Sequence, residues 1–152
     1  AQLIKYADKL GSDCPFFFIY KHCFATGKVE ILEEINIALS AYQFVIVNPG
    51  INIHTGDTFI KLNPSMPEKP LREIIATPVK KWKSVLQNDF EKLVFKEHRE
   101  IVDIKDNLYR AGAVYASMSG SGSTVYGIFD KNQKPELSFP DHYFVRKLHG
   151  QF

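Results

Sequence analysis

Apolar residues return every third or fourth position over residues 97–110, where Ile101, Ile104 and Leu108 share one face and charge fills the other. That spacing predicts an amphipathic helix ended by Gly112. Two helical stretches precede it. Trp82, Val85 and Leu86 share one face, and Phe90, Leu93 and Val94 share another. Leu3, Ala7 and Leu10 keep the same rhythm at the start, with Ile4 beside them and Gly11 as a stop. Elsewhere the period shortens. Phe44-Val45-Ile46-Val47 is an unbroken apolar run closed by Asn48-Pro49-Gly50, the pattern of a central strand buried on both faces. Cys23-Phe24-Ala25 turns at Gly27 into an alternating strand over 29–32. Strands are also expected at 114–118, 124–129 and 142–148. The run at 16–20, rigidly started by Pro15, reads as a short segment buried on both faces. Thr55 is expected to cap a short helix running through Phe59. Residues 63–70 hold three prolines and read as a surface loop. Helices and antiparallel strands mix without regular βαβ alternation, which predicts an α+β fold.

Composition narrows the class. The chain has 152 residues, 45% of them hydrophobic and 24% charged, which suits one ordinary domain or a domain plus a fragment of another. A fibrous or disordered chain is excluded. A formal charge of +2 gives no signal for nucleic acid or a membrane surface. The longest apolar run is too short to span a bilayer. Cys14 and Cys23 lack metal or redox spacing and read as reduced residues of a cytoplasmic protein. His22, His54, His98, His142 and His149 are scattered, so no metal site is expected. The helical rhythm begins at Ala1 without a cap or initiator methionine, which points to a C-terminal piece of something longer.

The candidate chemistry lies in two stretches. Ser119-Gly120-Ser121-Gly122-Ser123 sits between two β-prone flanks. It lacks the Gly-Lys-Ser/Thr of a P-loop, and the third glycine and following helix of a dinucleotide fingerprint. The partner motifs of a protein-kinase glycine loop are also missing. Two readings remain: a hairpin turn, or a cradle in which bare glycine backbone and serine hydroxyls converge on an anion. The second stretch is Leu10-Gly11-Ser12-Asp13-Cys14-Pro15-Phe16-Phe17. Asp13 is held between a helix-ending glycine and a rigid proline. That anchoring suits a carboxylate that orients an acceptor hydroxyl and takes its proton late in phosphoryl transfer. The commoner use is an Asp in a polar loop.

Together these two stretches resemble the GHMP kinases, the superfamily of galactokinase, homoserine, mevalonate and phosphomevalonate kinases. Intermediate stretches agree: Phe24-Ala25-Thr26-Gly27, residues 47–55, and Asn88-Asp89-Phe90-Glu91. Within the superfamily the chain looks most like the branch of the non-mevalonate isoprenoid pathway. The resemblance covers nearly the whole chain. It implies a ferredoxin-like C-terminal domain over 39–152 and the end of an N-terminal domain over 1–38, with the catalytic-aspartate helix and a hairpin. Asp13 matches the catalytic aspartate, and Gly120, Ser121, Gly122 and Ser123 match the third superfamily motif beside the phosphates. Thr55 matches a substrate-pocket threonine, and Phe59 an aromatic wall near a cytidine. ATP and Mg2+ are implied for the full-length parent, the ion held mainly by phosphates and water. The implied substrate is a methylerythritol linked to cytidine diphosphate.

Two departures from the family pattern matter. Gly27-Lys28-Val29-Glu30 lacks the second glycine of the family's Gly-x-Gly-Glu turn. The family's lysine motif and glycine-rich ATP loop would lie N-terminal to Ala1. The fragment alone is therefore expected to be inactive, with an N-terminal domain required in cis. A homoserine or mevalonate-pathway kinase, or a non-catalytic α+β binding module, are the alternatives.

Overall fold

The computed structural model describes residues 6–7, 9–11, 14–19, 21–27, 31–62 and 68–149. The chain forms two compact units, Ala1–Ala38 and Leu39–Phe152.

In the first unit the helical rhythm ends where Gly11 N–H donates to Ala7 O at 3.2 Å. Ala7 is buried as the pattern predicts, but Leu10 is exposed. The aromatic run is not a strand. It forms helix α1, Phe16–Ile19, and Phe16, Phe17 and Phe18 are all exposed. Pro15 lacks an N–H, which costs nothing at a helix start, and its fixed φ suits that position. The carbonyls of Cys14 and Pro15 accept from Phe17 and Phe18 N–H at 3.2 and 3.1 Å. Strands β1 (Cys23–Thr26) and β2 (Ile31–Glu34) form an antiparallel hairpin. Gly27 enters its turn at φ 71°, a left-handed value favouring glycine. Lys21 grips both oxygens of Glu34 at 2.7 Å near the open end, an exposed pair of small energetic weight.

The second unit is built on β3 (Tyr42–Asn48), hydrogen-bonded on both sides. Among the described residues five helices follow: α2 (Thr55–Lys61), α3 (Leu71–Ile75), α4 (Val79–Val85), α5 (Glu91–Glu97) and α6 (Arg99–Arg110). Strands β4 (Tyr115–Met118), β5 (Val125–Asp130) and β6 (Phe144–His149) complete an antiparallel sheet of order β4-β5-β3-β6. Strands β3 and β4 are each antiparallel to the β5 between them, so they run parallel to each other, a split βαβ. This is the ferredoxin-like order. The return from β5 to β6 over residues 131–143 is irregular rather than helical.

One sheet face carries Val45, Val47, Ala116, Met118, Val125 and Phe129 against Val94 of α5 and Ile101, Ile104 and Leu108 of α6. All three α6 residues chosen by spacing are buried. At Gly127 a Cβ would meet Phe129 and Leu108 at 3.0 and 3.1 Å, so its bare backbone lets α6 lie close. Helix α6 stops in a Schellman motif: Ala113 N–H donates to Leu108 O, and Gly112 N–H to Tyr109 O, both at 3.0 Å. Gly112 sits at φ 96°, and the Gln133 amide occupies the space a Cβ would need.

On the other face Trp82 meets Tyr115 edge-on at 5.7 Å, and Tyr115 tilts against Tyr126 at 6.1 Å. Trp82 Nε1–H donates to Thr77 O at 3.1 Å, satisfying the buried indole. Val85, expected on the same buried face, is exposed. It is the last residue of α4, and the chain turns extended at Leu86. Strand β6 is exposed along its length and forms the sheet edge, with Arg146 and Lys147 as charges that discourage further pairing.

Candidate active site

The loop between β4 and β5 is tightly wound. Ser119 N–H donates to Thr124 O at 2.8 Å, and Gly122 N–H to Ser119 O at 3.0 Å. Gly120 and Gly122 take φ of 55° and 99°, where a side chain is strained. The two glycines differ in what surrounds them. A Cβ on Gly120 would meet open space, whereas one on Gly122 would approach Ile53 Cδ1 and Met118 Sδ at 2.7 Å.

Residues 48–55 lie against this loop. Asn48 Nδ2–H donates to Thr124 Oγ1 at 2.8 Å, and its Oδ1 accepts from Gly50 N–H at 2.7 Å. Ser123 is buried, and its hydroxyl donates to Ile51 O at 2.6 Å. The Thr55 and Ser121 hydroxyls are 2.9 Å apart. Thr55 is therefore not the expected cap. His54 holds the N-cap position without a side-chain bond, and Thr55 is the first helical residue of α2. The turn geometry frees its hydroxyl for Ser121, 66 positions away.

A turn further on, Phe59 is exposed and meets Phe90 edge-on at 4.8 Å. Thr55, Phe59 and the serine-glycine loop, singled out separately in the sequence, thus share one end of the second unit. Asp13 lies outside the described residues.

Sequence reasoning gave no role to the polar group beneath the loop. Asn88 Nδ2 donates to both Met118 O and Gly120 O at 2.8 Å, and its Oδ1 accepts from Phe90 N–H at 2.9 Å. Buried Glu91 accepts from Met118 N–H at 2.8 Å and from the Ser117 hydroxyl at 3.2 Å through the same oxygen. Its other oxygen meets Lys105 Nζ at 2.6 Å. Periodicity could not find these residues, because Glu91 in a first helical turn reads as a solvated dipole partner. Only the Asn88-Asp89-Phe90-Glu91 stretch, noted for its resemblance, marked the place.

The buried carboxylate beneath the loop is thus paired with an ammonium. Among the described residues no group of three His, Cys, Asp or Glu side chains could hold a metal ion. Nearby, Lys61 draws the carboxyl of Glu97 below its ordinary range. On the far side of the sheet, burial pushes the hydroxyls of Tyr115 and Tyr126 above the usual phenol value, and it does the same to Tyr109 of α6, whose hydroxyl donates to Ala116 O at 3.1 Å.

Residues 72–138 match the family described as GHMP kinases C terminal. This part of the chain belongs to the GHMP kinase C-terminal family. Its relatives name one enzyme within it. The chain is 46% identical over 140 residues to the 4-diphosphocytidyl-2-C-methyl-D-erythritol kinase of Bacteroides thetaiotaomicron, covering 92% of this chain and 50% of the relative. It is 44% identical over 147 residues to the enzyme of the same name from Azobacteroides pseudotrichonymphae, covering 95% and 55%. A crystal structure of 4-(cytidine 5'-diphospho)-2C-methyl-D-erythritol kinase matches the fold with a TM-score of 0.72 and 22% identity, covering 97% of this chain and 57% of that one. The chain spans about half the length of the curated relatives it matches.

Proposed function

We propose that this chain is the C-terminal part of an ATP-dependent kinase that phosphorylates the 2-hydroxyl of 4-diphosphocytidyl-2-C-methyl-D-erythritol in non-mevalonate isoprenoid biosynthesis. The observation that carries this reading is the junction of Thr55 with Ser121 at 2.9 Å. It joins a substrate-pocket threonine to the phosphate loop of a chain whose curated relatives bear that enzyme's name.

ATP supplies the phosphoryl group, with Mg2+ held largely by its phosphates and water. The loop's chemistry fits an anion. Gly120 leaves open space where a side chain would stand, and Ser121 offers a hydroxyl at the surface of the turn. In this reading residues 120–123 steady phosphate oxygens. Ser123 does so through the frame, since its own hydroxyl is taken by Ile51 O. Thr55 and Phe59 border the cytidine-bearing substrate, and the exposed Phe59 ring, braced by Phe90, gives a base a face to pack on. Asp13 orients the acceptor hydroxyl. As the new P–O bond forms and the bond to ADP breaks, Asp13 takes the hydroxyl proton. Positioning and charge neutralisation supply most of the rate.

The half-buried free cysteines Cys14 and Cys23 suit a reducing compartment, and we assign the protein to the cytoplasm. No helix among the described residues is long and apolar enough to cross a membrane.

The test uses the full-length protein. It should convert the cytidyl alcohol, but not homoserine, in an ATP-dependent reaction. Asp13→Asn should lower kcat about a hundredfold to ten-thousandfold with nucleotide affinity retained. Equal turnover of homoserine would overturn the substrate assignment, and an Asn variant as fast as wild type would make Asp13 structural.

A further inference from the structure

We infer that Asn88 is a positioning residue that aims the Ser121 N–H at the donor phosphates. This rests on the kinase reading above and assigns one residue outside the loop a part in it.

Three contacts agree on how the Asn88 carboxamide is turned. Both acceptors, Met118 O and Gly120 O, face its NH2 at 2.8 Å, and the one donor, Phe90 N–H, faces its oxygen at 2.9 Å. A flipped amide would set oxygen against two carbonyls. Asn88 is itself held by the backbone, since its carbonyl accepts from Glu91 N–H at 3.0 Å.

The consequence lies in the peptide that Asn88 grips. In a trans peptide the carbonyl and the next N–H point in opposite directions. With Gly120 O drawn to Asn88, Ser121 N–H points away from it. The other contacts do not explain this bond. Ser119 and Thr124 close the hairpin, Ser119 and Gly122 close the turn, and Glu91 secures Met118 N–H. The bond to Gly120 O adds orientation of one peptide plane. Two N–H groups of the loop, those of Ser119 and Gly122, are spent on the turn itself. Ser121 offers both a backbone N–H and, beside Thr55, a hydroxyl. The same short segment also holds Phe90 against Phe59. The cytidine wall and the phosphate donor of the proposed reaction thereby share a brace.

The experiment compares the full-length protein with Asn88→Asp and Asn88→Ala. Asn88→Asp keeps the acceptor for Phe90 N–H but turns a carboxylate oxygen toward two carbonyls, so the Gly120–Ser121 peptide must rotate. In both variants kcat should fall about tenfold to a hundredfold and the KM for ATP should rise, with the KM for the cytidyl alcohol unchanged. Unchanged kcat and ATP KM beside a lowered melting temperature would overturn the inference and leave Asn88 a fold brace. A second measurement needs no turnover. Pyrophosphate should shift the amide NMR signal of Ser121 in the wild type, and do so less in either variant. No shift in the wild type, or equal shifts in all three, overturns the inference whether or not the variants are stable. A wild type whose Ser121 responds, with the response weakened in the variants, but which transfers no phosphoryl group, would sink the kinase reading and support the aimed N–H.

Discussion

Gly120 and Gly122 look equivalent in the sequence, yet their surroundings separate them. Both need a left-handed φ, but only a Cβ at Gly122 would press on Ile53 and Met118 at 2.7 Å. Each contact is with the far end of a side chain, so neighbours can shift, at the cost of core packing. Gly122→Ala should therefore destabilise the chain by about 2–4 kcal/mol, combining backbone strain and overpacking. Gly120→Ala should cost only about 1–2 kcal/mol from strain alone. Denaturant melts of the two variants check this, and equal losses would contradict the surroundings described. In the full-length protein Gly122→Val should abolish phosphoryl transfer. A plain hairpin turn predicts instead that activity per folded molecule survives.

Elements act here through a few buried polar links between them. Glu91 ties α5 to β4, and Lys105 of α6 neutralises it. Glu91→Gln keeps an oxygen for Met118 N–H but leaves the ammonium unmatched. The pair is largely buried, with side-chain exposures of 21% for Lys105 and 10% for Glu91. Removing one charge should cost about 3 kcal/mol, the lower end for such pairs because Lys105 keeps some water. A double variant, Glu91→Gln with Lys105→Met, should recover part of that loss in a double-mutant cycle. Three tyrosines set a pH limit. Tyr115, Tyr126 and Tyr109 are raised above 10.0, chiefly by burial. Their contribution to stability is whole below the unfolded pKa of 10.0 and is lost as pH rises from there through the folded values. Urea melts across alkaline pH should show a decline starting near the unfolded value, and Tyr115→Phe with Tyr126→Phe should flatten it.

At the scale of the whole molecule, length is the governing fact. The chain spans about half of its curated relatives, and the family's lysine motif and ATP loop are not among its residues. This chain by itself should show no ATP-dependent phosphorylation of the cytidyl alcohol above a heat-killed control. Turnover by this chain alone would refute that expectation and the roles assigned to 1–38.

Local pattern alone determined the α+β class, the central β3, the buried face of α6 and its glycine stop. These follow from spacing and backbone chemistry, which a run of a dozen residues already contains. The serine-glycine loop and Asp13 stood out there as candidate chemistry, because few residue types serve an anion or a proton, but cradle and turn could not be separated. Tertiary structure decided what depends on partners distant in the chain. Helix α1 is not of that kind: its exposed phenylalanines follow a local start, set by the Cys14 and Pro15 carbonyls, that apolar content does not report. Tertiary structure moved Thr55 from cap to loop partner across 66 positions, and it put Asn88, Glu91 and Lys105 beneath the glycines. A hydrogen bond between residues far apart leaves no period in the sequence. Only the folded sheet, by bringing the end of β4 over the start of α5, chooses which polar side chains meet.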